Sequence, residues 1–149
     1  MLIFPKYENK LSWLIQNMGS MTQDGFQVLI FANQIQTVDE LGTMLSAWQV
    51  ATLHGQKPQH ERAQILADFR AKRCMIMIAT SVASRGLDIS SHSLKTVINF
   101  DFSRDRDDHI HRVGRTGRAG VTDCQAITLL TTEQKREAAI LVNILEDCN

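Results

Sequence analysis

Apolar positions along the chain fall into two kinds of block, and their alternation predicts helices interleaved with buried strands. Leu11, Leu14, Ile15 and Met18 recur at i, i+3, i+4 and i+7, the stripe of an amphipathic helix. Residues 19–25 carry two glycines and an aspartate and predict a loop. Residues 27–32 form a short apolar run suited to a strand covered on both faces. Thr37 and Glu40 have the spacing of a capping box, with Val38, Leu41, Leu45 and Trp48 on the buried side of the helix that follows. Residues 50–53 predict a second strand, from which His54 and Gly55 turn out. Pro58 suits the first position of the next helix, which turns Ile65, Leu66 and Phe69 inward. Residues 74–79, 95–100 and 125–130 predict three more strands. An arginine-rich helix follows the fourth strand. A final helix after Thr131 carries Ala138, Leu141, Val142 and Leu145. Strands alternating with helices imply an α/β fold, a mostly parallel central sheet flanked by helices in three layers.

In open sheets of this kind, ligands bind beyond the carboxyl ends of the strands. Asn33, Gly55, Thr80 and the segment after Asp101 all fall there, which predicts one shared functional edge. At 149 residues the chain is expected to be a single domain spanning 1–149, burying roughly 68–70% of its unfolded surface. Sixteen basic and sixteen acidic residues cancel. A self-sufficient nucleic-acid binder usually has a basic excess, so any such binding must rest on a local face. Cys74, Cys124 and Cys148 are too few and too scattered for a zinc site, and an odd number disfavours a disulfide framework. A reducing compartment, cytoplasm or nucleus, is the expected setting. No stretch is long and apolar enough for a membrane span, so no membrane association is expected. His109 and His111 have no ligand set of the usual spacing accompanying them, so no metal site is expected in this chain.

Residues 111–120, HRVGRTGRAG, carry the most chemistry per position. On a continuous helix, His111, Arg115 and Arg118 stand at i, i+4 and i+7 on one face. Like charges so spaced cost roughly 0.2–0.5 kcal/mol per pair, and each interior glycine adds about 1 kcal/mol relative to alanine. A stretch this poor for its own helix makes sense if a polyanion completes it. Guanidinium groups suit phosphate because their planar fork donates two hydrogen bonds and never deprotonates. The plain alternative is a solvated basic helix end.

The stretch resembles the last signature motif of the DEAD-box RNA helicases. ATSVASRGLDI at 79–89 resembles the motif before it, VLIFANQ at 28–34 the family's first motif in its second lobe, and LHG with Gln59 and Arg62 the next. Order and spacing agree from about residue 6 to about residue 147. The resemblance implies the C-terminal RecA-like lobe of an ATP-dependent RNA helicase. Arg115 and Arg118 would then reach the γ-phosphate of ATP, with Arg118 the arginine finger. His111 and Arg112 would couple this segment to the opposite lobe. Asp88 would hydrogen-bond the ATP ribose, with Gly86 allowing close approach. Gly55, Gln59, Arg62 and Thr80 would hold the sugar–phosphate backbone of single-stranded RNA. Taken alone, Asp88 would pass for a turn-capping aspartate and Arg62 for a partner of Glu61 or Asp68.

Neither a G-x-x-x-x-G-K-[ST] phosphate loop nor a DEAD sequence occurs. The other half of the machinery, including most of the Mg2+ binding, is therefore expected on an N-terminal RecA-like lobe. The lobe alone is expected to be monomeric and inactive, with RNA and that N-terminal lobe as its partners. Asp39-Glu40 and Asp107-Asp108 are expected to be solvated or capping pairs. Ser81, Ser103, His109 and Gln56 depart from the family's usual aspartate, proline, tyrosine and acid or asparagine. These departures bear on coupling between lobes rather than on class. A clamp without turnover and a DNA-directed helicase are the rival readings.

Overall fold

The structure, a computed structural model, describes residues 1–89, 91–103, 105–117 and 120–147. Six strands are β1 (Leu2–Phe4), β2 (Gln27–Phe31), β3 (Val50–Leu53), β4 (Ile76–Ala79), β5 (Leu94–Asn99) and β6 (Gln125–Thr131). They pair in parallel in the order β1-β6-β5-β2-β4-β3. The connecting helices are α1 (Tyr7–Met21), α2 (Ile35–Met44), α3 (Gln59–Arg70), α4 (Ser81–Ser84), α5 (Arg106–Val113) and α6 (Lys135–Asp147).

Side chains alternate across each strand, so one strand feeds two cores. Val28, Ile30 and Ala32 meet Leu14 and Met18 of α1 and Val38 and Leu41 of α2. Leu29 and Phe31 point the other way, toward Leu66 and Phe69 of α3 and Ala83 of α4. Leu129 belongs to the first core and its neighbour Leu130 packs with Leu141 of α6, so α6 lies on the α3 side. Each fully buried Leu or Phe contributes about 1.5–3 kcal/mol relative to exposure. The result is the three-layer RecA-like architecture, with every strand pair parallel.

One strand lies outside the sequence expectations, and four local expectations are corrected. The first residues, MLIF, form an edge strand, because Leu2 and Phe4 pack against the α1-side core while β6 supplies the pairing. Thr37 is no cap: α2 begins two residues earlier, at Ile35, with no side-chain cap on Gln34. A partner outside the helix fixes that turn instead, since the Asn33 amide donates to Asp101 Oδ2 at 2.9 Å. Pro58 is the residue before α3 rather than its first, with extended ψ of 152°. Ile15 is half exposed while Lys10 is buried on α1. On α6, Leu141 and Ile144 are the buried pair, and Val142 and Leu145 face outward.

Gly42 marks a close approach of α2 to β3. A Cβ there would lie 2.6 Å from Thr52 Cγ2, and the β-branched Thr52 is stiff in its strand. Overpacking of this kind costs roughly 1–3 kcal/mol, against about 1 kcal/mol gained in helix propensity. Gly42→Ala should therefore lower the urea midpoint. Adding Thr52→Ser, which removes the opposing methyl, should restore it.

Candidate functional site

The carboxyl ends of β2, β4 and β5 converge on one buried guanidinium. Arg112 is 2% exposed. Its Nε donates to Ser81 Oγ at 2.7 Å, Nη1 to the Asp101 carbonyl at 3.0 Å, and Nη2 to Asn33 Oδ1 at 2.7 Å. Nη2 also lies 2.9 Å from Asp108 Oδ2, and the group sits over the Phe31 ring. Asn33 Nδ2 in turn donates to the Phe102 carbonyl at 2.8 Å. Only a planar group with donors on three nitrogens can hold four elements at once. This corrects one expectation and gives another its setting. Arg112, expected to couple this segment to the opposite lobe, is enclosed here by acceptors of its own lobe. Asp108 is not solvated, because it supplies the opposite charge inside the clamp, whereas Asp107 is exposed.

The α5 helix is shorter than its periodicity suggested. Asp105 caps its start, accepting from the Asp108 amide at 2.8 Å. It ends at Val113, where Gly114 serves as C-cap. Gly117 then takes φ of 70°, a conformation that stops a helix from resuming. His111 and Arg115 therefore do not share a helical face. Arg115 lies on the turn beyond, and its Nη1 donates to the Leu87 carbonyl at 3.1 Å.

That bond joins the arginine segment to the turn bearing Gly86 and Asp88. Gly86 has φ of 75° and open space where a Cβ would stand, so a ligand can approach the backbone closely. Arg70 holds the same turn from below, through the Asp88 carbonyl and a 3.7 Å ion pair to its carboxylate. Gly86, His111, Arg112 and Arg115 line a cleft of about 150 Å³ together with Ser81, Ser84, Arg85 and Asp108. Arg85 approaches Asp108 at 3.9 Å. Arg118, assigned to the γ-phosphate, lies outside the described residues.

A second group occupies the β3–β4 side of the rim. Gly55 and Gln59 are exposed, and the Arg62 guanidinium donates to Gln59 Oε1. Arg62 therefore does not pair with Asp68, which binds Arg73 at 2.8 Å instead. His54 is buried, with Nε2 3.1 Å from Asp39 Oδ1, so this acidic residue anchors the turn before Gly55. The Thr80 amide donates to the Leu53 carbonyl at 3.2 Å, joining β4's end to β3's. Its hydroxyl caps α4, accepting from the Ala83 amide. Thr80 and Ser81 are adjacent, so the Arg112–Ser81 bond ties this group to α5.

Two departures from the family pattern sit behind the clamp. His109 is buried and stacked on Phe102. Burial holds its pKa below the ordinary histidine value; the Arg112 charge adds to this and Asp108 opposes it. Ser103, which follows Phe102 in the chain, is 1% exposed. Gln56 is exposed in the β3–α3 turn. Asp101, Asn33 and Asp108 are site residues that motif reading left without roles. Lys10 had none either, and its signal was a lysine at i to Leu14 at i+4 and Met18 at i+8 on an apolar face.

Among the described residues, no group of three or more His, Cys, Asp or Glu side chains could hold a metal. No helix there is long and apolar enough to cross a membrane.

The family model for the helicase conserved C-terminal domain matches residues 9–120. The DEAD-box ATP-dependent RNA helicase 24 of Arabidopsis thaliana is 46% identical over 145 residues, covering 96% of this chain and 19% of that protein. The ATP-dependent RNA helicase DDX42 of Homo sapiens is 42% identical over 143 residues, 95% of this chain and 15% of that protein. The chain thus spans less than one fifth of the length of either relative. Among solved structures, S. cerevisiae Dbp5 bound to RNA and ADP BeF3 superposes with a TM-score of 0.78 at 28% identity, covering 97% of this chain and 37% of that one. With that match on a parallel sheet whose rim carries the arginine segment, the chain belongs to the helicase conserved C-terminal domain family, in its DEAD-box branch.

Proposed function

We infer that the chain is the second lobe of a two-lobed, ATP-dependent RNA helicase and that its rim completes the hydrolysis site when the lobes close. The observation that carries this reading is the Arg112 clamp. One buried side chain joins the segment leading to Arg115 with the α4 start that Thr80 caps. A nucleotide-facing group and an RNA-facing group are thereby held on one rigid support. The cleft beside Arg115, about 150 Å³, is smaller than the roughly 300–1,000 Å³ of a site that encloses a small molecule. That size suits half of a site.

ATP, when bound, supplies a γ-phosphoryl group for transfer to water. Arg115 and Arg118 would stabilise the charge on that group as it leaves, with Arg118 the finger. Gly86 would admit the nucleotide to the backbone and Asp88 would take the ribose hydroxyls. His111, exposed on α5, would face the other lobe. Mg2+ would be held mainly by carboxylates of that lobe. Gly55, Gln59, Arg62 and Thr80 would hold RNA through its backbone, which positions the strand without reading sequence. Closure on one strand would exclude its complement and separate short duplexes. The setting would be the cytoplasm or nucleus. The relatives' names and the RNA and ADP BeF3 on Dbp5 support this reading.

The test is ATP turnover by the two-lobed protein with RNA and with DNA of equal sequence. RNA should stimulate strongly and DNA weakly, since only RNA offers the 2′-hydroxyl. The isolated lobe should show no turnover. In the same assay, Arg62→Ala should raise the RNA concentration for half-stimulation about tenfold, the loss of roughly one charge-assisted phosphate contact. The KM for ATP should stay the same. Equal stimulation by DNA, or unaltered RNA crosslinking in Arg62→Ala, would count against the RNA-facing assignment.

A further inference from the structure

A charged side chain is buried behind the clamp where the helix pattern calls for an apolar one. Lys10 is 2% exposed, on the face of α1 that carries Leu14 and Met18 into the core. Its Nζ lies 4.4 Å from the Phe100 ring centroid, 5.6 Å from that of Tyr7, and 4.0 Å from Asp101 Oδ1. Burial lowers the Lys10 pKa, and Asp101 opposes that shift. Such a pair is poor evidence of stabilisation, because replacing a buried ion pair by apolar groups is often neutral or favourable. Its geometry suits positioning better.

Asp101 is the residue that the ion pair restrains, and it makes two further contacts. Its carboxylate accepts from the Asn33 amide at 2.9 Å, and its carbonyl accepts from Arg112 Nη1 at 3.0 Å. Asn33 in turn accepts from Arg112 Nη2 at 2.7 Å. The Arg112 carbonyl accepts from the Arg115 amide at 3.2 Å, and the Val113 carbonyl from the Thr116 amide at 3.1 Å. A continuous path therefore runs from the Lys10 ammonium through Asp101 and Arg112 to the turn that carries Arg115.

We propose that Lys10 is a positioning residue for the arginine segment after α5, acting through Asp101 and Arg112. Without the ammonium, the half-buried Asp101 carboxylate loses its counter-charge and turns toward water. Both ends of the Arg112 fork that depend on Asp101 and Asn33 then loosen. Lys10 touches neither nucleotide nor RNA under the proposed function. The inference relies on that reading only for its effect on turnover.

The experiment compares Lys10→Met, which keeps the apolar stem, with Lys10→Arg, which keeps the charge. Amide hydrogen exchange is measured on the chain. In Lys10→Met, the Gly114, Arg115 and Thr116 amides should exchange about tenfold faster through local opening. The α3 amides should stay within about twofold. Lys10→Arg should return the loop to near the native rate. In the two-lobed enzyme, Lys10→Met should lower kcat about fivefold at unchanged KM for ATP, the pattern of a contact used only in the transition state. Exchange that rises evenly across α3 and the loop would overturn the proposal, as would an unchanged loop or no recovery in Lys10→Arg. A selective change in exchange without any turnover in the native enzyme would leave the positioning role standing and remove the helicase reading.

Discussion

In the two-lobed enzyme, Arg118→Ala is expected to reduce RNA-stimulated ATP hydrolysis by roughly 10³–10⁵, the range for removing an arginine finger. That corresponds to about 4–7 kcal/mol of transition-state stabilisation. Arg115→Ala should cost less, roughly 10²–10³, the scale of removing one preorganised donor from a developing charge. The difference has a structural origin. Arg115 already donates to the Leu87 carbonyl within its own lobe, so part of its work is holding the Gly86–Asp88 turn. Arg115→Ala should therefore raise the KM for ATP as well as lower kcat, whereas Arg118→Ala should act on kcat. Thermal melting of the isolated lobe should be unchanged in Arg118→Ala, so a loss of turnover cannot be assigned to unfolding. Turnover retained in Arg118→Ala would refute the finger assignment and favour a clamp that binds without hydrolysis.

What could be read from sequence depended on how local each cause was. Helix and strand positions followed from apolar periodicity because burial on one face or two is written into consecutive residues, as at Leu14 and Met18 or along β2. The parallel sheet followed from the alternation of those blocks, and the meeting of Asn33, Ser81 and Asp101 at one rim is in keeping with the rule about strand ends. The edge strand β1 was hidden because its three residues acquire their role from β6, far along the chain. The start of α2 was hidden for the same reason, since Asp101 rather than a nearby side chain fixes it. On α6, the choice of Ile144 over Leu145 depends on what lies beneath the helix. The site divided in the same way. Residue types suited to phosphate could be recognised from their spacing, but the buried use of Arg112 could not. Its acceptors come from the ends of β2 and β5 and the start of α4, and no periodicity relates these positions. Three glycines around Arg115 signalled a break in the helix as strongly as close approach to a ligand, and at Gly114 and Gly117 the break is what they provide.

Arg112→Ala is expected to be the most destabilising single change at the rim. It removes the counter-charge 2.9 Å from Asp108, which is 4% exposed, and among the described residues leaves Arg85 at 3.9 Å. Breaking a buried pair from one side costs roughly 3–5 kcal/mol, mostly the penalty of the stranded charge. The Ser81, Asn33 and Asp101 acceptors lose a donor in the same step. Urea unfolding of the isolated lobe measures the loss directly. Arg112→Lys separates charge from shape: one ammonium can face Asp108 but cannot also reach the acceptors beyond the ends of β2 and β5 and at the start of α4, so most of the loss should remain. The double variant Arg112→Met with Asp108→Leu removes both charges and should recover part of the stability, as expected for apolar replacement of an ion pair. A fully additive result in that double variant would mean the two side chains do not interact, contrary to their 2.9 Å separation. Recovery of stability without recovery of turnover would assign the buried pair to placing the arginine segment, because an apolar filling can support the fold but cannot tie Ser81 and Asp101 to α5.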